Sequence, residues 1–237
     1  MERTLLVATS AVRDAENGEA FLGEIEWSYG FTTRLLGGED EAELTRRGVG
    51  ELGSGVVVID VGGGSTELVS ATERVCTNLG SVRLTERFLG SDPPTSAELE
   101  EMTDAIRAVL SEYELTATEG VGVAGTVTSL AALDLGLLDY DSERVHGHRL
   151  REAAVLAQAE RLAAMPLARR REVPGLEPER APVIVAGAAI LLATMWYLGL
   201  DEIEVSERDL LDGVALEAAK LPEPVEGDAP PGAYTCC

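Results

Sequence analysis

Short apolar runs alternate along the chain with longer segments in which apolar residues recur at helical spacing. The short runs predict strands at residues 4–8, 31–36, 56–60, 66–71, 75–79, 120–124 and 203–205. The longer segments predict helices at residues 17–29, 39–48, 82–88, 97–113, 129–135, 149–164, 178–200 and 208–219. This alternation of strands and helices places the chain in the α/β class.

Two features of this pattern restrict the fold. Strands 56–60 and 66–71 are too close in sequence for a helical crossover, so they predict a hairpin with a glycine-rich tip. Residues 183–200 carry no charge over a length near the lower limit of a membrane span. Because this segment contains Gly187, Gly199 and several alanines and has no flanking basic belt, we interpret it as a buried core helix and expect no membrane partner.

Composition adds a strong acidic bias. Of the 237 residues, 42 are acidic and 19 are lysine or arginine, which gives a net charge of −23. Such a charge repels nucleic acids and anionic membrane surfaces, so we expect no nucleic acid as a partner. Cys76 is isolated and Cys236 and Cys237 end the sequence. This pattern shows no disulfide framework or zinc spacing, and together with the lack of a signal peptide it favours the cytoplasm.

The segment VVVIDVGGGSTELVS (56–70) carries the first candidate chemistry. Its glycines, Gly62–Gly64, let backbone N–H groups approach an anion, and Ser65 and Thr66 add hydroxyl donors. Asp60 at the strand end suits Mg²⁺, which prefers carboxylate and phosphate oxygens. The segment therefore predicts a metal-assisted phosphate site, with a plain glycine-rich hairpin turn as the alternative. A P-loop is excluded because no lysine follows the glycines, and a dinucleotide fingerprint is excluded because a strand, not a helix, follows them.

Two further stretches have the same character. Small residues with hydroxyls follow a strand at Gly122–Thr128 and lead into a helix, which suits a second phosphate contact or simply a capped helix start. Acids open another helix at Gly38–Glu41, where they either complement the helix dipole or supply a general base that activates water.

Together these segments resemble the Ppx/GppA family of exopolyphosphatases and guanosine pentaphosphate phosphatases. The resemblance is in family order and covers nearly the whole chain except the tail. The DxGGGSTE loop is its most specific element. The matching segments are VATSAVRDAENGEAFL (7–22), LLGGEDEAELTRRGV (35–49), VVVIDVGGGSTELV (56–69), NLGSVRLTERFL (78–89), GVAGTVTSLAAL (122–133), YDSERVHGHRL (140–150) and the long stretch 183–217.

The resemblance implies an actin-like ATPase (ribonuclease H-like) fold of two lobes that hold phosphates in a cleft. Residues 1–52 then form the remainder of the first lobe, 53–220 form the second lobe, and the Pro-, Gly- and Ala-rich residues 221–237 form a disordered tail. The implied reaction is Mg²⁺-dependent hydrolysis of a phosphoanhydride, either the terminal bond of inorganic polyphosphate or the 5′-γ-phosphate of pppGpp. A homodimer is compatible with this assignment.

The same resemblance implies roles for individual residues. Glu41 matches the acid that positions or deprotonates the attacking water, Asp60 matches the metal-associated aspartate, and Glu67 matches a cleft acid. His146 and Gly147 match a VHG segment of open role, as does His148 beside it. The residues that match substrate-binding positions are Arg13, Gly62, Gly63, Gly64, Ser65, Thr66, Gly125 and Thr126.

Three departures from the family pattern qualify the assignment. The family opens with a further phosphate loop of the form DIGSNS, so the first lobe is expected to be truncated at its N-terminus. Ala124 stands where the family has glycine, where its Cβ would crowd a phosphate or require a negative φ. Glu43 stands where the family usually has arginine. The alternative functions are a catalytically inactive phosphate- or nucleotide-binding module and, less in keeping with the hairpin, a sugar or acetate kinase.

Overall fold

The computed structural model of the chain describes residues 4–221, which divide into two compact units. The second unit is Leu52–Glu207, and the first unit combines the residues before it with those from Arg208 onward. The strands are β1 Leu5–Ala8, β2 Thr32–Leu35, β3 Val56–Val61, β4 Thr66–Val69, β5 Arg74–Thr77, β6 Glu119–Val123, β7 Arg149–Arg151 and β8 Glu202–Val205. The helices are α1 Ser10–Arg13, α2 Gly18–Tyr29, α3 Gly38–Val49, α4 Ser81–Phe88, α5 Ser96–Leu110, α6 Ala124–Asp134, α7 Ser142–Val145, α8 Glu152–Ala163, α9 Leu167–Arg170, α10 Ile184–Leu198 and α11 Leu210–Ala218.

The first unit is built from β1, α1, α2, β2, α3 and α11. Strands β1 and β2 pair in parallel, and Leu36, Leu44 and Val214 form a small core. Helices α3 and α11 cross at very short range, since a Cβ on Gly48 would lie 1.8 Å from the Asp209 carbonyl oxygen and one on Gly213 would lie 2.0 Å from that of Leu44.

This crossing explains why the division differs from the one predicted. The sequence placed all of 53–220 in one lobe, whereas α11 packs against α3 in the first unit because both helices present a glycine at the contact. The predicted tail, residues 221–237, lies outside the described residues except for Leu221.

The second unit contains a mixed sheet in the order β5-β4-β3-β6-β8-β7. Strand β3 pairs in parallel with β6 and antiparallel with β4, so the predicted glycine-tipped hairpin is confirmed. Helix α10 is buried along nearly its whole length, as expected for a core helix. Among residues 4–221 no helix is long and apolar enough to cross a membrane.

Helix α6, expected from residue 129, begins at Ala124, and most other element ends shift by up to three residues. Two further boundaries differ from the predicted ones. Residues 149–151, expected to be helical, form strand β7 because Leu150 is buried and pairs with Ile203 at the sheet edge. The helix expected from residue 178 begins only at Ile184, and the preceding residues form turns. This second difference is important for the site, because it leaves Arg180 outside the helix.

Candidate active site

The glycine loop between β3 and β4 is held through its carbonyl groups by the first turn of α4. The Gly62 carbonyl accepts the Ser81 N–H at 3.0 Å, and the Gly63 carbonyl accepts the N–H groups of Val82 and Arg83 at 2.9 and 3.2 Å. The Arg83 Nε–H donates to the Gly64 carbonyl at 3.0 Å. The first N–H groups of α4 therefore bind the carbonyl groups of the loop and are not available to an anion.

Gly80 is the residue that allows this close contact. A Cβ at this position would lie 2.3 Å from the Gly63 carbonyl oxygen and 2.3 Å from the Gly64 carbonyl carbon. Both of these neighbours are backbone atoms, so they could move only if the whole loop moved. Gly80 was not among the residues predicted for the site, although it lies in the matching segment 78–89.

The second predicted phosphate turn, residues 122–128, forms the end of β6 and the first part of α6, and it contains the strained residue of the site. Ala124, the first residue of α6, has a φ of 66°, in the left-handed region that favours glycine. The expectation that alanine here would require a negative φ is therefore wrong. Gly125 comes next, and a Cβ on it would lie 1.8–2.2 Å from atoms of the Arg180 guanidinium group.

The glycine loop and the first turn of α6 line one pocket of about 350 Å³ in the second unit. A volume of this size suits a small ligand or one end of a larger one. Arg180 is the one basic side chain among the described residues that line the pocket. The complete lining is Val61, Gly62, Gly63, Ser81, Val82, Ala124, Gly125, Thr126, Glu177, Glu179, Arg180, Val183 and Ile184.

Four of the residues predicted to bind substrate lie in this lining, namely Gly62, Gly63, Gly125 and Thr126. The Gly62 N–H closes the hairpin by donating to the Ser65 carbonyl at 3.0 Å, so it already has an acceptor within the turn. Gly64 and the buried Ser65 belong to the same loop, but neither is one of the described residues that line the pocket.

Thr66 takes a different part from the one predicted. Its side chain is fully buried, and its hydroxyl donates to the Leu79 carbonyl at 2.5 Å. This hydroxyl proton is therefore used inside the sheet, and the expectation that Thr66 offers a hydroxyl donor to a phosphate is wrong. The residue instead anchors the chain that leads from β5 into α4.

Asp60 and Glu67 lie side by side on β3 and β4. They are register partners in the antiparallel pair, so their side chains emerge on the same face of the sheet, and both residues are largely buried. Glu67 is in turn the register partner of Cys76, whose thiol donates to Glu67 Oε1 at 3.2 Å. The carboxyl groups predicted for metal binding and for the cleft are thus neighbours.

The residues present fit a Mg²⁺ ion bound mainly by its substrate. No group of three or more His, Cys, Asp or Glu side chains within residues 4–221 could form an all-protein metal site. Mg²⁺ is usually held by one or two carboxylates together with substrate phosphates and waters. The neighbouring residues Asp60 and Glu67 match the carboxylate part of such a site, and neither of them is among the residues that line the pocket.

In the first unit, Arg13 and Glu41 form a close ion pair. Arg13 Nη1 donates to Glu41 Oε1 at 2.7 Å and to the Leu36 carbonyl at 2.7 Å. Glu41 is buried, and this burial raises the pKa of its carboxyl group, while the hydrogen bond and positive charge of Arg13 partly offset the increase. Two residues predicted separately, one as a phosphate ligand and one as a base, are therefore coupled.

The histidines of the VHG segment contact the strand-end region instead of the pocket. The Glu207 N–H donates to His146 Nδ1 at 3.3 Å, and the Gly147 N–H donates to the Val205 carbonyl at 2.7 Å. His148 Nε2 lies 2.7 Å from an Asp134 carboxylate oxygen. These contacts attach the segment to the end of β8 and to the last residue of α6.

Arg180, Glu177 and Ser81 are site residues that the sequence analysis missed. Ser81 lies within a matching segment, and its helix start after a glycine was a usable signal. For Arg180 no local signal existed, because it was assigned to the apolar helix and its position over Gly125 depends on the tertiary fold.

Comparison with known proteins decides the family. The Ppx/GppA phosphatase family matches residues 1–221. The chain belongs to this family. Exopolyphosphatase 2 of Mycobacterium tuberculosis is 39% identical over 243 residues, which covers 92% of this chain and 75% of that protein. Exopolyphosphatase 1 of the same organism is 33% identical over 236 residues, covering 94% of this chain and 68% of that protein.

Solved structures agree with this assignment. A structure of the Aquifex aeolicus PPX-GPPA enzyme matches with a TM-score of 0.79 and 32% identity, over 89% of this chain and 74% of that chain. The fold is the actin-like ATPase fold that the resemblance implied. The prediction of a hydrolase is confirmed by membership of a phosphatase family.

Proposed function

We propose that this chain removes the terminal phosphate from inorganic polyphosphate by hydrolysing the last phosphoanhydride bond. The observation that carries the proposal is the pocket formed by the glycine loop, the Ala124–Thr126 turn and Arg180. The names of the relatives, exopolyphosphatases, support polyphosphate as the substrate. The second substrate implied by the resemblance is pppGpp, which would be hydrolysed at its 5′-γ-phosphate. It is included in the test below.

The loops of the second unit suit the binding of a phosphoryl group. Phosphoryl transfer proceeds through a loose transition state, so catalysis depends mainly on positioning and charge stabilisation. The contacts from α4 fix the glycine loop before substrate arrives, and Arg180 contributes a positive charge to a strongly acidic protein. A loop that is already fixed, with a positive charge beside it, stabilises developing negative charge with little reorganisation of the backbone at the moment of reaction.

Asp60 and Glu67 are the residues that would hold Mg²⁺ in this proposal. When bound there, the ion would neutralise charge on the phosphate oxygens. The role of the two carboxylates is to fix the position of the ion, which they can do because they are neighbours on adjacent strands.

Glu41 is the proposed general base. Its carboxylate accepts a proton from water, whose oxygen forms a bond to the terminal phosphorus while the bond to the bridging oxygen breaks and the shortened chain keeps that electron pair. Burial raises the pKa of Glu41 and so makes its carboxylate a stronger base than an exposed glutamate. Arg13 is proposed to orient Glu41 and to favour its ionised form, since its hydrogen bond and positive charge lower the pKa of the carboxyl group.

The direct test is phosphate release from polyphosphate and from pppGpp by the full chain, with Mg²⁺ and after its removal with EDTA. We expect release from polyphosphate that is lost with EDTA and restored by added Mg²⁺. Release from pppGpp alone would replace the proposed substrate. Binding of polyphosphate without any release would instead favour the inactive binding module.

The assignment of Glu41 and Arg13 predicts a specific change in the pH profile. Because the carboxylate is the active form, activity falls as pH falls through the pKa of Glu41. Replacement of Arg13 by Met removes the interactions that lower this pKa, so the acid limb of kcat/KM should move to higher pH. The matched control is Arg34→Met, which removes an exposed arginine paired with Asp40 on the same unit and should leave the acid limb in place. An unchanged acid limb in Arg13→Met would contradict the pairing.

A cytoplasmic location and a homodimer stay predictions from the sequence analysis.

A further inference from the structure

The one basic side chain that lines the described pocket already has an anionic partner. Arg180 Nε donates to Glu177 Oε2 at 2.7 Å, and Glu177 itself lines the pocket. The two side chains are 42% and 52% exposed, so the pair is open to solvent and to any ligand that enters.

The position of Arg180 explains why this ion pair affects the pocket. Its guanidinium group lies directly over Gly125, where even a single Cβ would approach within 1.8 Å. A phosphoryl group that contacts the Ala124–Thr126 turn therefore meets the same guanidinium group that Glu177 holds. Carboxylate and phosphate oxygens are interchangeable partners for arginine, since both accept its N–H groups in a charge-assisted manner.

We propose that Glu177 is an affinity-determining residue, which competes with the substrate's phosphoryl oxygens for Arg180. This inference rests on the proposed function, since it assumes that a phosphoryl group binds in this pocket. Glu177 accepts the Nε–H of Arg180. A phosphoryl group that takes this donor must displace the Glu177 carboxylate, and one that binds Nη1 or Nη2 meets the negative charge of Glu177 beside it. Glu177 thereby weakens the binding of the substrate end and of the phosphate product together.

The size of the effect follows from the exposure of the pair. Exposed ion pairs change equilibria by factors of about one to five, and salt screens them. A neutral amide accepts a weaker hydrogen bond from arginine than a carboxylate does. Glu177→Gln should therefore lower the KM for polyphosphate by about two- to fivefold at low ionic strength. The inhibition constant of inorganic phosphate should fall by the same factor.

Glu179→Gln is the matched control. Glu179 lines the same pocket and carries the same charge, but within the described residues it is not the ion-pair partner of Arg180. Its replacement removes the same background charge and should lower KM less than Glu177→Gln does. Equal effects of the two variants would overturn the proposal, because background charge alone would then explain them.

A double-mutant cycle with Arg180→Met completes the test. In the Arg180→Met background Glu177→Gln has no guanidinium group to release, so its effect on KM should fall to that of Glu179→Gln. An effect of Glu177→Gln that persists without Arg180 would overturn the proposal. Circular dichroism of each variant checks that it folds.

The same comparison can be made without turnover. The dissociation constant of inorganic phosphate, measured by titration calorimetry, should fall in Glu177→Gln more than in Glu179→Gln. If the wild-type chain released no phosphate from polyphosphate yet showed this difference, the proposed function would fail while the inference about Glu177 held. Equal binding in both variants, or no phosphate binding to any variant, would overturn the inference itself.

Discussion

The pocket is lined by a loop that contains Gly62 and Gly63 and by the first turn of α6, and these two segments differ in where glycine occurs. Gly62 and Gly63 lie in the glycine loop with φ values outside the left-handed region, so they are not required for an unusual backbone conformation. The first turn of α6 has Ala124 in the left-handed region, where glycine would be favoured. Glycine thus occurs at positions whose φ lies outside the left-handed region, and alanine occurs at a position whose φ lies within it.

The difference shows that glycine in this site provides space more than conformational freedom. The glycine loop is in contact with the backbone of Gly80, and the first turn of α6 lies beneath the Arg180 side chain. The kind of atom that a new Cβ would meet therefore decides the cost of each substitution. Backbone neighbours cannot move without moving the loop, whereas the end of an arginine side chain can.

The largest effect is expected at Gly80. In Gly80→Ala the new Cβ would overlap the backbone of Gly63 and Gly64, so the glycine loop must shift. A displacement of about 1 Å in a catalytic site can reduce activity about 100-fold, and we expect a loss of kcat/KM of that order. Steady-state phosphate release measures it.

Gly53→Ala is the control for this substitution. A Cβ on Gly53 would meet only the Val56 side chain, at an ordinary contact distance of 3.5 Å. The control should keep most of the activity. A Gly80→Ala variant as active as Gly53→Ala would show that the loop does not depend on the close contact with Gly80.

A smaller effect is expected at Gly125. In Gly125→Ala the new Cβ would displace the Arg180 guanidinium group and leave the helix backbone in place. Loss of one hydrogen bond to a charged group costs about 1.5 kcal/mol or more, so kcat/KM should fall about tenfold. Arg180→Met should cause a similar fall.

The effects of Gly125→Ala and Arg180→Met on kcat/KM should not be additive. If Gly125→Ala acts by moving Arg180, the double variant with Arg180→Met should be about as active as either single variant. Additive losses of kcat/KM would mean that Gly125→Ala disturbs the backbone of α6 itself. The contrast with Gly80, where a new Cβ meets backbone atoms, would then be lost.

The smallest effect concerns Ala124 and has the opposite sign. A left-handed conformation costs a non-glycine residue roughly 1–2 kcal/mol, while glycine raises the entropy of the unfolded chain. Ala124→Gly should therefore stabilise the protein by about 0.5–1 kcal/mol, seen as a higher urea midpoint.

Ala131→Gly provides the comparison within the same helix. This residue lies in the middle of α6, where glycine should destabilise the protein by about 1 kcal/mol. If Ala124→Gly also lowered the urea midpoint, the backbone strain attributed to Ala124 would be contradicted.

The hairpin and the buried helix could be predicted from sequence because their signals are local. The short spacing between the two strands allowed only a hairpin, and the uncharged stretch from residue 183 required burial. Strand β7 could not be predicted in this way, since three residues carry almost no periodicity and become a strand only by pairing with β8. The placement of α11 in the first unit depended likewise on a tertiary contact between two glycines.

The candidate site divides along the same line. The glycine loop, Asp60, Glu67 and Glu41 stand in motifs and were named from sequence. That the Thr66 hydroxyl is bonded to a carbonyl and that Arg180 lies over Gly125 follow from contacts between distant segments. The motif residues thus predicted the kind of site. The structure was needed to show which partners the Thr66 hydroxyl and the Arg180 guanidinium group already have.

The most direct test of the account compares phosphate release from polyphosphate by the wild-type chain and by Glu41→Gln under saturating Mg²⁺. A general base contributes about 100- to 10,000-fold to the rate, so kcat should fall by a factor within that range while KM changes little. Glutamine keeps the size of the side chain and can still accept a hydrogen bond from Arg13, so folding should be preserved. Phosphate release at the wild-type rate in Glu41→Gln would contradict the account.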